Sequence, residues 1–78
     1  MKLINQQGDT IINFDNVLAV TIVQTNKTSW FKTYTITAAL IRESFELGTY
    51  ETLEEANNAF DGMIESFKSK KILYRFPK

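Results

Sequence analysis

The stretch from Leu47 to Phe67 constrains this chain most, because a strand end, a tight corner and a capped amphipathic helix follow one another there. Leu47-Gly48-Thr49-Tyr50-Glu51 reads as a strand running into a corner. Thr52 supplies an N-cap hydroxyl, and Glu55 stands three residues on, at the capping-box spacing from which its side chain can reach back to the Thr52 backbone N–H. Glu51, Glu54 and Glu55 sit at the positive end of the helix dipole, and Lys68, Lys70 and Lys71 near its negative end. Ala56, Ala59, Phe60, Met63, Ile64 and Phe67 recur at helical spacing on one face, with Asn57, Asn58, Asp61, Glu65 and Ser66 mostly on the other. The pattern predicts one helix over residues 53–70. Gly62 costs it up to about 1 kcal/mol against alanine, less than the stripe and the cap contribute. The stripe reads as core, with roughly 1.5–3 kcal/mol for each large side chain buried. Phe60 is expected deep within it, so that Phe60→Ala costs roughly 3–5 kcal/mol.

Such a helix needs an apolar partner, and residues 2–50 read as strands. Lys2–Asn5 and Thr10–Phe14 flank the turn Gln6-Gln7-Gly8-Asp9 and form a hairpin, with a second corner at Asp15-Asn16. Val17–Gln24 is rich in β-branched residues, with Leu18, Val20 and Ile22 on one side and Val17, Ala19, Thr21 and Val23 on the other. Thr25–Ser29 is a polar loop. In the clearest strand, Trp30–Leu40, the set Trp30, Tyr34, Ile36, Ala38 and Leu40 alternates with Phe31, Thr33, Thr35, Thr37 and Ala39. Ile41–Ser44 turns the chain and Phe45–Tyr50 returns it antiparallel. The even-numbered set, with Phe45 and Leu47, is expected to face the helix, and the threonine-rich set to face water or a partner. Ile72, Tyr74 and Phe76 alternate with Leu73 and Arg75, so 72–76 is a short last strand or a tail across the sheet. The expected fold is α+β: an antiparallel meander of about five strands with one C-terminal amphipathic helix packed on one face, in a single domain 1–78.

Composition narrows the function more than it identifies it. A chain of 78 residues buries only about 60% of its unfolded surface, which favours dimerisation as a source of stability. There is no cysteine, hence no disulfide or thiolate metal site, and no histidine, the commonest general base and transition-metal ligand. Zero formal net charge argues against binding dominated by phosphate contacts. No apolar run reaches membrane-span length, and the N-terminus lacks a signal-peptide core, so the expected location is cytoplasmic. Glu54 and Glu55 diverge on the helix, and Glu43, Glu46 and Glu51 have no partnering base or nucleophile. Asp9, Asp15 and Asn16 lack calcium-loop spacing and read as turn residues. No catalytic residue, metal or cofactor is expected, and the chain reads as a non-enzyme.

Two surfaces could hold a partner. Lys68, Lys70, Lys71, Arg75 and Lys78 crowd the C-terminus, with Tyr74 and Phe76 interleaved. Basic residues with stacking aromatics suit single-stranded nucleic acid, with Lys68, Lys70, Lys71, Tyr74 and Arg75 as the contacts. A basic amphipathic tail can also touch an acidic membrane surface. The other surface holds Trp30, Phe31, Thr33, Thr35 and Thr37. One of the two adjacent aromatics must point away from the core, and an exposed aromatic beside a polar loop is either a protein-contact anchor or one member of a cross-strand pair. Val17, Val23 and Ala39 share that second sheet face, which a single helix cannot cover. The favoured expectation is a protein-interaction module with a protein partner or a second copy of itself.

Asn13-Phe14-Asp15-Asn16-Val17, Leu47-Gly48-Thr49-Tyr50, Glu54-Glu55-Ala56 and Tyr74-Arg75-Phe76-Pro77 occur in that order along the chain. In these landmarks the chain resembles a group of small uncharacterised proteins of Gram-positive bacteria and their phages. It departs from them in Thr25–Tyr34, with its tryptophan and lysines. The resemblance implies an accessory role and assigns no catalytic or ligand residue.

Overall fold

Alternating β-branched residues in two successive segments produce the longest pairing in the molecule, seen in a computed structural model that describes residues 1–78. β3 (Ala19–Asn26) and β4 (Lys32–Ala39) pair antiparallel without a break, from Ala19 opposite Ala39 to Asn26 opposite Lys32. β5 (Ser44–Tyr50) runs back along β4 and completes a three-stranded meander in the order β3-β4-β5. Between Ile36 and Thr37 the register slips, so Leu47 is an extra residue in β5, and the bulge sets Leu47 and Gly48, neighbours in sequence, both in buried positions.

The second sheet is mixed. β1 (Lys2–Ile4) lies between β2 (Ile11–Asn13), antiparallel to it, and β6 (Leu73–Arg75), parallel to it. The α+β architecture with a helix packed on strands is as expected: α1 (Leu53–Lys68) packs against β4, β5 and β6. The strands divide differently from one meander of about five, into six strands in two three-stranded sheets. The physical reason lies after β2. Asn13 accepts a hydrogen bond from the Asp15 N–H and caps a 3-10 turn over Phe14–Asn16, which turns the chain away before β3. The free side of β1 is taken by β6 from the other end of the chain. The short last strand is thereby Leu73–Arg75, preceded by the exposed Ile72 and followed by Phe76, which is fully buried.

The helix starts as its cap residues dictate. Thr52 Oγ1 accepts from the Glu55 N–H at 3.1 Å and donates to the Glu55 carboxylate at 3.0 Å, so the two side chains meet each other rather than Glu55 reaching the Thr52 N–H. It stops two residues short of 70. Lys70 adopts φ 57°, its N–H reaches the Phe67 carbonyl at 3.1 Å, and the Lys71 N–H reaches the Ser66 carbonyl at 3.0 Å. That is the Schellman closure, with lysine in the left-handed position that glycine usually fills.

The core joins Leu3, Ile12 and Phe76 of the mixed sheet and its tail to Ile36, Ala38, Leu47 and Tyr50 of the meander and Ala56, Ala59 and Met63 of the helix. Phe60 and Ile64 are only half-buried, so the full-core expectation for Phe60 is too strong. Phe67 is 57% exposed, and Ser66 takes the buried place at that turn. Gly62 has a specific neighbour: a Cβ there would lie 2.5 Å from Tyr74 Oη, which donates to the Ala59 carbonyl at 2.8 Å. The helix gives up propensity at Gly62 so that β6 can close on it.

Candidate functional site

A three-stranded sheet has two edges, and this meander treats them differently. Along β5, Gln6 behaves as a substitute strand: its N–H donates to the Leu47 carbonyl at 2.6 Å, its Nε2 to the Thr49 carbonyl at 3.2 Å, and its Oε1 accepts the Thr49 N–H at 3.0 Å. Nothing pairs with the outer side of β3. The β3 sequence AVTIVQTN contains no charge and no proline, and its pairing with β4 contains no bulge. These are the devices by which exposed edges are ordinarily protected. The outer strands of the mixed sheet, β2 and β6, escape the problem by being three residues long.

The face of the meander turned away from the helix carries Thr21, Val23, Thr35, Thr37, Ala39 and Thr49, with Thr35 Oγ1 and Thr49 Oγ1 3.1 Å apart. Thr35 and Thr37 are partly exposed, as the interaction-surface reading requires. Thr33 is not: it is only 7% exposed and offers little to a partner. Val17 also leaves this face. β3 begins at Ala19, so the alternation does not extend back to Val17, which packs against the core, while Leu18 is 69% exposed.

Trp30 and Phe31 stand at the tip of the β3–β4 hairpin. Thr28 Oγ1 accepts from the Phe31 N–H at 3.0 Å, and the Lys27 N–H donates to the Phe31 carbonyl at 2.8 Å, which closes the loop. Both aromatics precede β4, so both reach the surface: Trp30 is 82% exposed and Phe31 38%, with rings edge-to-face at 6.4 Å. A hollow of about 480 Å³ lies between them and Leu53 at the start of the helix.

The basic residues divide. Lys68, Lys70 and Lys71 gather with Lys2 around a shallow hollow of about 890 Å³ whose apolar lining is Met1, Phe67, Ile72 and Leu73. Tyr74 and Arg75, expected beside those lysines, lie elsewhere. Tyr74 is held by its bond to Ala59, edge-to-face on Phe76 at 5.0 Å, and the Arg75 guanidinium lies against Gly8. Phe67 is the one exposed aromatic beside the lysines. Helical spacing places Phe67 in the core, and Lys2 is brought in only by the β1–β6 pairing, so neither is legible in the sequence as part of this hollow.

The titratable groups with shifted behaviour are structural. Burial, then Tyr74 and Glu55 nearby, push the Tyr50 phenol up to about 12, and its hydroxyl donates to the Pro77 carbonyl at 2.7 Å. Burial also raises Tyr74. Asp9 is held below the usual carboxylate range first by Asn5 Nδ2, at 2.7 Å, and then by Thr10. Asn5 Oδ1 in turn accepts from the Gly8, Asp9 and Thr10 N–H groups, so this loop is turn chemistry. No three acidic side chains gather where a cation could be held. No helix is long and apolar enough to cross a membrane. No protein-family model, curated protein or solved structure shows significant similarity to the chain.

Proposed function

We propose that this protein is a non-catalytic interaction module that works by contacting protein, and that its first partner is a second copy of itself, joined through the open edge of β3. The observation that carries the reading is the unequal treatment of the two edges of the meander. Gln6 closes one with three hydrogen bonds, and eight uncharged residues leave the other bare. Antiparallel pairing of β3 with β3 is compatible with a two-fold axis, sets no like charges against each other and makes one six-stranded sheet from two meanders. Leu18, at 69% exposed, and Val23, at 47%, gain apolar contact there. Trp30, beside the same strand, supplies the aromatic anchor for a heterologous partner. The proposed setting, a phage or bacterial accessory protein, rests on the landmark residues alone.

Sedimentation across a concentration range tests the self-association. A dimer is expected, and Val23→Lys, which puts a charge on the edge, should return it to a monomer that is still folded, with a melting temperature that no longer depends on concentration. A strict monomer at about 100 μM, which excludes association better than roughly −5 to −6 kcal/mol, removes the second copy and leaves the Trp30 surface for a different protein.

A further inference from the structure

We propose that the basic end of the molecule docks on an anionic lipid surface, with Lys2, Lys68, Lys70 and Lys71 reaching the headgroups and Phe67 and Ile72 entering the acyl boundary. Three observations meet here. First, the zero net charge conceals a separation. None of the residues around the hollow is acidic, while Glu54 and Glu55 occupy the opposite end of a helix about 24 Å long. A negative plane would orient such a molecule with this end towards it. Second, apolar side chains are open to solvent here: Ile72 is 84% exposed, and Phe67, edge-to-face on Phe14 at 5.2 Å, still 57%. Projecting apolar groups ringed by long-stemmed amines suit an interface that is charged outside and greasy beneath. An acidic peptide would need walls that the open hollow lacks. A single-stranded nucleic acid would leave Ile72 in water and find Phe67 as its one exposed aromatic there, since Tyr74 and Phe76 are turned inward.

Third, Lys70 holds φ 57° where glycine is the unstrained choice. The left-handed turn closes the helix and delivers Lys70, Lys71 and Ile72 in succession to one surface. A residue kept in a strained conformation that glycine would relieve calls for a role for its side chain.

Co-sedimentation of the full chain with vesicles of phosphatidylcholine alone, and of phosphatidylcholine mixed with phosphatidylglycerol, tests the proposal. Binding to the mixed vesicles only is expected, weakening with salt. Removing one lysine should lower partitioning about five-fold, and Lys70→Glu with Lys71→Glu at least about 25-fold. Ile72→Ser, at an exposed position that leaves the fold intact, should lower it roughly ten-fold. Lys70→Gly should bind more weakly while unfolding at a higher temperature, a combination that a purely structural lysine would not give. No binding to the mixed vesicles at low salt overturns the proposal. So does binding indifferent to Ile72→Ser, because charge alone would then account for it. Equal binding to single-stranded DNA, also indifferent to Ile72→Ser, overturns it in favour of a polyanion. None of these results depends on whether β3 pairs with a second copy.

Discussion

The mixed sheet ties the two ends of the chain together through pairings of three residues, whereas the meander joins sequence neighbours through pairings of six to eight. The mixed sheet has short edges and a side chain sealed beneath it, Phe76, at 0% exposure. The meander has length and local pairing, and leaves an edge and a hairpin tip in the open. The pairing with high contact separation is thus the one closed by buried anchors, and the one that forms locally keeps an open edge. Fixing distant segments costs loop-closure entropy that only buried contacts offset.

The largest expected effect tests that dependence. Phe76→Ala should cost about 3–5 kcal/mol by chemical denaturation, because it empties a fully buried site and unpins β6. Phe60→Ala should cost less, about 1–3 kcal/mol, its ring being half in water already. Equal costs would mean that the helix stripe, not the terminal strand, anchors the core.

Gly62→Ala comes next and separates local propensity from packing. Helix propensity alone says that it stabilises by about 1 kcal/mol. The position of Tyr74 Oη, 2.5 Å from where the new methyl would sit, says that it destabilises by about 1–3 kcal/mol, as the tyrosine loses the Ala59 carbonyl. Gly62→Ala combined with Tyr74→Phe should recover part of that loss. A stabilised single variant would show that β6 is not held against the helix in solution.

How far the fold was legible follows the same division. β3, β4, β5 and the capped helix were readable because their signals are local: period-2 alternation, a Thr-x-x-Glu cap, a stripe at helical spacing. The parallel partnership of β1 and β6 was not, since its residues lie some seventy positions apart and neither three-residue strand carries a pattern that names its mate. The hollow at the basic end inherits that blindness: Lys68, Lys70 and Lys71 could be read as a cluster, but Lys2 joins them only through β1 and β6. Thr33 failed as a surface residue because alternation assigns a face, and a face is not exposure. The bare β3 edge could have been suspected from an uncharged, proline-free strand, yet without Gln6 in place on β5 there was no telling which edge was closed.

Alkaline pH probes the joint between the two sheets. Tyr50 is raised to about 12 by burial and fastens β5 to the tail through Pro77, and Tyr74 is raised too. A folded-state pKa above the unfolded one contributes stability that is whole below about 10 and is lost as pH rises through the folded value. Denaturation midpoints should therefore hold up to about pH 10 and fall above it, and the fall should shrink in Tyr50→Phe. A midpoint flat to pH 12 in the unmodified chain would show that neither phenol is buried in solution.

The smallest effect bears on the surfaces left open. Lys70 in the left-handed region costs roughly 1–2 kcal/mol relative to a residue without a Cβ. Glycine would recover that, less about 0.4–1 kcal/mol for the freedom it adds to the unfolded chain. It would also forgo a few tenths of a kcal/mol from the lysine charge at the helix C-terminus. The net for Lys70→Gly is a gain of about 0.5 kcal/mol, measurable as a small rise in the denaturation midpoint with an unchanged slope. Lys70→Ala is the control, since it loses the charge and keeps the strain, and should be slightly less stable than the parent. If both variants are destabilised alike, the lysine side chain stabilises its own turn, and the strain there needs no partner to explain it. If glycine stabilises and alanine does not, the chain forgoes stability at the helix end that borders the open hollow lined by Met1, Phe67, Ile72 and Leu73. A sequence shaped for folding alone has no reason to do that, which sets this end of the molecule beside the bare edge of β3 as surface kept for contact.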